Sequence, residues 1–238
     1  MAETLQCISP VNGRVFVERP LADDAAIAAA LDRAAQARPG WRATPLRERC
    51  AILNRAVDAF AEDTIEIAQE LTWQMGRPIA HTPSEVAGFA ERARHMSAIA
   101  PKTLADIDAG PKWGFTRFIR REPLGLVFVA APWNYPYLTA VNSVWPALLA
   151  GNTVILKPSH QTPLTAERFA AALARAGLPE GVYQPLHLSH DGAEKVIRAA
   201  NFTAFTGSVA GGRAVQLALA GGFSGAGLEL GGKDPAYV

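Results

Sequence analysis

The sequence predicts an α/β protein in which a layer of helices precedes a doubly wound parallel sheet. Two observations predict this fold. The first half of the chain carries apolar residues at helical spacing, whereas after Pro123 short apolar runs alternate with helical stretches. Strands that alternate with helices of this length pair in parallel and place helices on both faces of the sheet. A chain of 238 residues is long enough to bury one large core.

The N-terminal part of the chain predicts four helices that form a packing layer rather than a site. Asp23 and Asp24 can cap the first helix, because short carboxylates accept hydrogen bonds from the free amides of the first turn. Gly76 is expected to end the third helix. Thr82 and Glu85 have the spacing of a capping box, with a proline at the first helical position. The predicted helices cover residues 25–37, 45–60, 64–75 and 83–99.

The second half of the chain supplies the predicted strands. A partly alternating pattern from Trp113 to Arg121 predicts an exposed or edge strand. The strand candidates that follow are residues 124–130, 152–157, 181–188, 202–206 and 227–230, and the helices between them begin near Leu138, Thr162, Asp191 and Ser208. In a doubly wound sheet, ligands bind outside the carboxyl ends of the strands. The candidate functional residues fall at these ends.

Composition excludes several classes of function. The formal net charge is +1, so no electrostatic argument favours nucleic acid or a membrane as a partner. The N-terminus lacks the pattern of a signal peptide, and the longest apolar stretch, residues 124–133, is too short to span a bilayer. Cys7 in a predicted loop and Cys50 in a helical pattern indicate no disulfide framework. His187 and His190 alone are interpreted as loop residues, and no metal is predicted. We therefore expect a soluble, cytoplasmic protein with a small-molecule partner.

The segment Gly207–Gly212 follows a predicted strand and opens a predicted helix. The free amides of a helix N-terminus can hold a pyrophosphate, and glycine removes the side chains that would block its approach. Ser208 can cap the helix or donate to a phosphate. The spacing differs from the common G-x-G-x-x-G fingerprint, so an ordinary capped helix is the alternative interpretation.

Three polar side chains lie at the ends of predicted strands. Lys157 ends an apolar strand and is either a solvated strand terminus or a group that points into the ligand crevice. Asn134 lies in the segment PWNYP at 132–136, where an asparagine between prolines can also form a turn. Glu229 lies in LELGGK at 228–233, where a carboxylate ends an apolar run; such a group is solvated, paired or functional.

Together with the Lys157-Pro158-Ser159 stretch, PWNYP and LELGGK make the chain resemble NAD(P)-dependent aldehyde dehydrogenases from about residue 5 to its last residue. The resemblance implies oxidation of an aldehyde to a carboxylic acid with reduction of NAD or NADP. In this family a cysteine thiolate attacks the aldehyde. The side-chain amide of Asn134 would then donate to the oxygen of the thiohemiacetal, and Glu229 would activate the water that releases the acid.

The resemblance also implies a cofactor site. The residues that carry over to the pyrophosphate crevice are Trp133, Gly207, Ser208 and Gly212. For Trp133, a buried core position is the alternative. Lys157 would reach the hydroxyls of the adenosine ribose. His160 stands where NAD-using relatives commonly carry a glutamate, so a 2′-phosphate would meet no negative charge there and either NAD or NADP is expected.

The resemblance divides the chain into a helical part of the cofactor-binding domain at 1–112, an oligomerisation hairpin at 113–122, a Rossmann-like core at 123–232 and the start of a truncated catalytic domain at 233–238. The family's nucleophile lies beyond Glu229, and neither Cys7 nor Cys50 matches it. We therefore expect the chain alone to be inactive and the full-length form to be a homo-oligomer. The alternative is a non-catalytic dinucleotide-binding module, or a truncated or split product that acts with a partner.

Overall fold

The computed structural model describes residues 3–233 and 235–237. Two strands that the sequence patterns did not predict, β1 (Thr4–Ile8) and β2 (Val15–Pro20), pair antiparallel ahead of the first helix. In β1 only Leu5 and Cys7 are buried, so its apolar signal is weak. Cys7 therefore lies in a buried strand position and not in the predicted loop.

The predicted helices follow as α1 (Asp24–Ala43), α2 (Leu46–Glu62), α3 (Thr64–Met75) and α4 (Pro83–Thr103). The Asp23 side chain caps α1 by accepting a backbone hydrogen bond of 2.8 Å, as predicted. Gly76 ends α3 in the left-handed conformation, with φ of 79°. Helix α1 continues past the predicted end at residue 37, because Trp41 is buried in the core and donates its indole N–H to the carbonyl of Leu148 at 3.0 Å.

A small exposed hairpin separates the helices from the sheet. Its strands are β3 (Ile107–Asp108) and β4 (Phe118–Ile119), which pair antiparallel. Within the predicted strand from Trp113 to Arg121, only β4 forms. Its partner β3 lies before residue 113, outside the predicted hairpin. The side chain of Trp113 is 97% exposed. Its apolar character therefore does not reflect burial within this chain.

The main sheet has five parallel strands in the order β7-β6-β5-β8-β9. They are β5 (Leu126–Ala130), β6 (Thr153–Lys157), β7 (Tyr183–Pro185), β8 (Phe202–Gly207) and β9 (Gly225–Leu230). The helices between them are α5 (Pro136–Leu149), α6 (Leu164–Arg175), α7 (His190–Ala199) and α8 (Val209–Leu219). Every predicted strand of the sheet is present. Strand β7 is shorter than predicted and pairs with β6 only over Tyr183–Pro185, although the Leu186 amide still donates to the Leu156 carbonyl at 3.0 Å.

The two faces of the sheet bury separate cores. Val127 and Val129 of β5 pack into a cluster with α2 to α6, whereas Leu126 and Phe128 pack into another with α1, α7 and α8. Successive residues of a strand point to opposite faces, which explains this division. The fold is doubly wound and Rossmann-like, as predicted. The N-terminal helices divide between the faces, since most of α1 lies with α7 while α2, α3 and α4 pack on the other side.

The predicted capping box at Thr82 and Glu85 is wrong. Thr82 makes no side-chain capping hydrogen bond. The Glu85 carboxylate instead accepts hydrogen bonds from the backbone amides of Tyr137 and Leu138 in α5. Helix α4 packs along α5, and this tertiary contact replaces the local one. Glu85 therefore belongs to the surroundings of the site and not to a passive packing layer.

The predicted start of a catalytic domain at 233–238 lies partly outside the described residues, because residues 234 and 238 are not described. Residues 233 and 235–237 form neither helix nor strand. Within residues 3–233 and 235–237, no helix combines the length and the apolar character needed to cross a membrane.

Candidate functional site

A cleft of about 710 Å³ opens at the carboxyl ends of β5, β6, β8 and β9. Strands β6 and β8 lie on opposite sides of β5, so the chain connections diverge there and the sheet has its topological switch point at this edge. The predicted site residues that line the cleft are Trp133, Asn134, Lys157, His160, Gly207, Ser208 and Glu229. The topology thus brings together side chains that are far apart in sequence.

The N-terminus of α8 lies at the cleft, and its capping residue Ser208 is part of the lining. The Ser208 hydroxyl accepts a hydrogen bond from the Gly211 amide at 3.1 Å, and the Ser208 carbonyl accepts one from the Gly212 amide at 2.9 Å. The amides of Val209 and Ala210 lie too early in the helix to have an intrahelical acceptor. A helix N-terminus with free amides and a positive dipole end suits an anion such as a phosphate.

The glycines of this segment are needed for close packing. A Cβ on Gly207 or Gly211 would lie 2.7 or 2.4 Å from the Phe205 ring. A Cβ on Gly212 would lie 2.6 Å from the Leu230 side chain. Gly212 itself is buried and does not line the cleft. In the structure, Gly212 allows α8 to pack against β9. Its role as a cofactor contact stays a prediction.

Lys157 and His160 occupy the β6 side of the cleft. The Lys157 Nζ lies 3.4 Å from the carbonyl oxygen of Pro158, and burial lowers the pKa of its ammonium group. The His160 Nε2 lies 3.0 Å from the carbonyl oxygen of Leu188. Burial lowers the pKa of His160, and the nearby charge of Lys157 acts in the same direction. His160 is therefore a neutral imidazole near pH 7 whose Nε2–H donates to Leu188.

The histidines interpreted as loop residues have defined places. His190 is the first residue of α7 and lines the cleft, next to the capping residue Ser189. His187 is partly buried, and its Nε2 lies 2.9 Å from a Glu167 carboxylate oxygen. The loop interpretation is therefore wrong for His190. The sequence feature that indicates a helix start at His190 is the serine before it, since serine is a typical helix cap. Among the described residues, no group of three or more histidine, cysteine, aspartate or glutamate side chains could hold a metal ion.

Asn134 and Trp133 lie on the exposed segment between β5 and α5. The Trp133 side chain is 52% exposed, so the alternative of a buried core tryptophan is wrong. The Asn134 side chain is exposed at the cleft, and its backbone carbonyl accepts a hydrogen bond from the Arg77 guanidinium. Arg77 also forms an ion pair with the buried Glu85. Sequence patterns gave no sign of this contact, because Arg77 reaches Asn134 from the loop between α3 and α4, 57 residues earlier in the chain.

Glu229 lies near the end of the edge strand β9, opposite Thr206 of β8. Its side chain is exposed and borders both the main cleft and a second hollow of about 500 Å³. The second hollow includes Thr139 and Ser143 of α5. The carboxylate is thus open to a water molecule or a ligand on either side.

Neither thiol lies at the cleft. The Cys7 Sγ lies 3.1 Å from the carbonyl oxygen of Gln161, and the Cys50 Sγ lies 3.7 Å from the carbonyl oxygen of Ser97. Burial raises the pKa of both thiols, so little thiolate forms near pH 7. Both sulfurs thus contact backbone carbonyls within the fold, and neither cysteine lines the cleft.

The fold and the cleft define a Rossmann-like α/β protein with a ligand crevice at its switch point. The model of the aldehyde dehydrogenase family matches residues 1–238, and the chain belongs to this family.

Named relatives agree with this assignment. The chain is 33% identical to a betaine aldehyde dehydrogenase of Rhizobium etli, over 98% of this chain and 48% of that protein. It is 33% identical to a succinate-semialdehyde dehydrogenase [NADP(+)] of Mycobacterium avium, over 97% of this chain and 50% of that protein. The solved structure of PnpE in complex with nicotinamide adenine dinucleotide superimposes with a TM-score of 0.92 at 30% identity, covering 97% of this chain and 48% of that one. The chain spans about half the length of the curated relatives it matches.

Proposed function

We propose that the cleft binds NAD or NADP and that the chain forms the cofactor-binding part of an aldehyde dehydrogenase, which oxidises an aldehyde to a carboxylic acid. One observation carries the proposal. A single cleft at the switch point brings together the Lys157 ammonium group, the N-terminus of α8, the Asn134 amide and the Glu229 carboxylate. A cation and helix amides suit a dinucleotide, whereas an amide and a carboxylate suit acyl chemistry.

The residues of the cleft fit a dinucleotide. Its volume of about 710 Å³ falls within the range of roughly 300–1,000 Å³ that is usual for ligand pockets. The amides of Val209 and Ala210, with the Ser208 hydroxyl, would hold the pyrophosphate. Lys157 would hold the adenosine ribose, and the exposed indole of Trp133 would line the crevice. When bound, the nicotinamide supplies an acceptor for the hydride that leaves the aldehyde carbon.

Asn134 and Glu229 would act on the substrate. The side-chain amide of Asn134 would donate to the oxygen that gains charge when the aldehyde carbon becomes tetrahedral; one such donor is worth roughly 3 kcal/mol. Glu229 would take a proton from the water that hydrolyses the acyl-enzyme. The nucleophile of the family is a cysteine thiolate, and Cys7 and Cys50 lie away from the cleft. We therefore propose that this chain alone does not supply the nucleophile.

The hairpin of β3 and β4 would serve in assembly. Trp113, Phe115 and Ile119 are each more than half exposed, at 97%, 66% and 59%. Exposed apolar groups on a short, unsupported ribbon favour contact with another chain. This supports the proposal that the full-length protein is a homo-oligomer. Both cysteines are free, which is consistent with the proposed cytoplasmic location.

Calorimetry with NAD and NADP on the folded chain tests the cofactor site. We expect saturable binding of at least one cofactor, weakened about tenfold or more by Lys157→Met, because the ammonium group would contact the ribose. Lys195→Met is the matched control, since Lys195 lies on the surface of α7, pairs with Asp24 and does not line the cleft. Absence of heat and of a thermal shift with both cofactors at millimolar concentration would rule out the proposal.

A second candidate is a dinucleotide-binding module without catalysis. The placement of both thiols away from the cleft favours it. Both candidates require cofactor binding. They differ in whether the protein that contains this chain reduces the cofactor when an aldehyde is added. Cofactor reduction by that protein, lost in Asn134→Ala, would favour the dehydrogenase over the module.

A further inference from the structure

Residues 131–135, between β5 and α5, carry Asn134 and are called the Asn134 segment. Helix α5, which follows this segment, has no local cap. Tyr135 occupies the capping position and makes no side-chain capping hydrogen bond, and Pro136, the first helical residue, has no N–H. The amides of Tyr137 and Leu138 therefore have no acceptor within the helix or its own flank. An uncapped helix end of this kind needs acceptors from elsewhere if it is to hold one position.

Glu85 of α4 supplies these acceptors. Its Oε1 accepts from the Tyr137 amide at 2.9 Å and lies 3.4 Å from the Leu138 amide nitrogen. The Glu85 side chain is fully buried, with 0% exposure. A carboxylate at a helix N-terminus is also stabilised by the helix dipole. Glu85 thus caps α5 from a helix 52 residues away in sequence.

Arg77 connects this cap to the residue at the cleft. Its guanidinium donates to the other Glu85 oxygen and to the backbone carbonyl of Asn134. It also lies over the Tyr135 ring, with 4.2 Å from the guanidinium carbon to the ring centroid. The Arg77 side chain is only 13% exposed. A planar group with several fixed donors can make these contacts together, which a lysine ammonium group cannot.

We propose that Arg77 and Glu85 are positioning residues that fix the Asn134 segment against α4. The pair touches the backbone on both sides of Tyr135 and Pro136, at Asn134 and at Tyr137. A buried ion pair contributes little net stability compared with a well-packed apolar pair, so stability alone does not account for it. It does restrict where the Asn134 side chain lies at the cleft. An effect of this restriction on catalysis rests on the proposed function. The restriction of the Asn134 position itself does not.

The test follows the Asn134 side-chain amide and the amides of Tyr137 and Leu138 by NMR in the full chain. In Glu85→Ala we expect hydrogen exchange at Tyr137 and Leu138 to accelerate about tenfold or more relative to Val141 in the same helix. We expect the side-chain amide signals of Asn134 to shift or broaden. In Arg77→Lys the charge stays, so Tyr137 and Leu138 should remain protected while the Asn134 signals change. Glu85→Gln, which keeps the shape and one acceptor oxygen, should rescue much of the protection.

The matched control is Glu70→Gln. Glu70 pairs with Arg168 across α3 and α6, at 2.9 Å between Arg168 Nε and a carboxylate oxygen, and does not touch the Asn134 segment. It should lower the melting temperature without changing the Asn134 signals. Asn134 signals that stay unchanged in both Arg77→Lys and Glu85→Ala would overturn the inference. Cofactor titration of the unmodified chain separates the two proposals, because absence of binding refutes the proposed function and leaves the NMR result to decide this inference.

Discussion

The imidazole Nε2 of His160 lies 3.0 Å from the carbonyl oxygen of Leu188, so this nitrogen carries the proton and the other ring nitrogen is free. Burial lowers the pKa of His160, and positive charge on Lys157, His190 or His187 lowers it further. Without a bound cofactor, the His160 imidazole is therefore neutral near pH 7. A 2′-phosphate beside it would favour the protonated form and would raise its pKa.

We expect the affinity for NADP to rise as the pH falls from 8 to 6, because binding the 2′-phosphate draws a proton onto His160. The gain is limited to about tenfold per pH unit for one proton taken up. NAD, which lacks the 2′-phosphate, should show a smaller change. Calorimetry at each pH measures both. His160→Gln should remove the difference, whereas His95→Gln on the exposed side of α4 should not. Equal pH dependence for NAD and NADP would place the 2′-phosphate elsewhere.

His160→Glu should shift preference toward NAD. A carboxylate at this position would repel the 2′-phosphate and could accept hydrogen bonds from both hydroxyls of an unphosphorylated ribose. The ratio of the two dissociation constants should move by about tenfold or more, as expected for a buried like-charge contact. Titration of both cofactors against one protein sample gives this ratio. A strong preference for NAD in the unmodified chain that the substitution leaves unchanged would show that residue 160 does not face the ribose.

The sheet could be predicted from sequence because its signals are local. Buried strands such as 126–130 are continuous apolar runs, and Gly76 and Asp23 act within one helical turn. The contacts around Asn134 could not be predicted in this way. Glu85 has the spacing of a local helix cap, yet its carboxylate accepts a hydrogen bond from the Tyr137 amide of α5. The packing of α4 against α5 determines this partner. Local patterns thus located the cleft but not its support.

Gly212→Ala should destabilise the fold. The added Cβ would lie 2.6 Å from the end of the Leu230 side chain, which is 40% exposed, so this side chain must turn away and lose its contact with α8. Overpacking costs roughly 1–3 kcal/mol, and the low end applies here because the group that moves is a flexible side-chain end. Gly40→Ala is the control, because Gly40 lies in α1 with no atom within 4 Å of its Cβ position. It should stabilise by roughly 0.5–1 kcal/mol. Urea unfolding measures both, and equal effects would contradict the packing role of Gly212.

Glu167 should stabilise the fold above pH 4 and lose this effect in acid. Burial alone would raise its pKa, but hydrogen bonds from His187 and Arg19 outweigh burial and lower the pKa of Glu167 to about 2. A carboxylate whose pKa is lower when folded contributes stability above its unfolded pKa of about 4.3 and loses it as the pH falls toward 2. The melting-temperature gap between the unmodified chain and Glu167→Gln should therefore narrow over this range. The exposed Glu91, changed to Gln, should show no such trend.

The isolated chain should show no aldehyde oxidation even when it binds cofactor. A free aldehyde does not release hydride readily, and in the mechanism of the family a thiolate beside Asn134 first makes the aldehyde carbon tetrahedral. Cys7 is buried in β1 against Gln161, and Cys50 lies in α2 against Ser97. Burial also raises the pKa of both thiols, which further lowers the thiolate fraction.

Cofactor reduction by residues 1–238, followed by absorbance with a panel of aliphatic and aromatic aldehydes, measures this directly. We expect no turnover above the rate without protein. If turnover occurs and stops in Cys7→Ser or Cys50→Ser, one of these thiols must reach the cleft by a rearrangement of β1 or α2. If it persists when both substitutions are combined in one chain, the chain oxidises aldehydes without a cysteine, and the roles proposed for Asn134 and Glu229 must be reassigned. The two serine variants thus separate a misplaced nucleophile from a different mechanism.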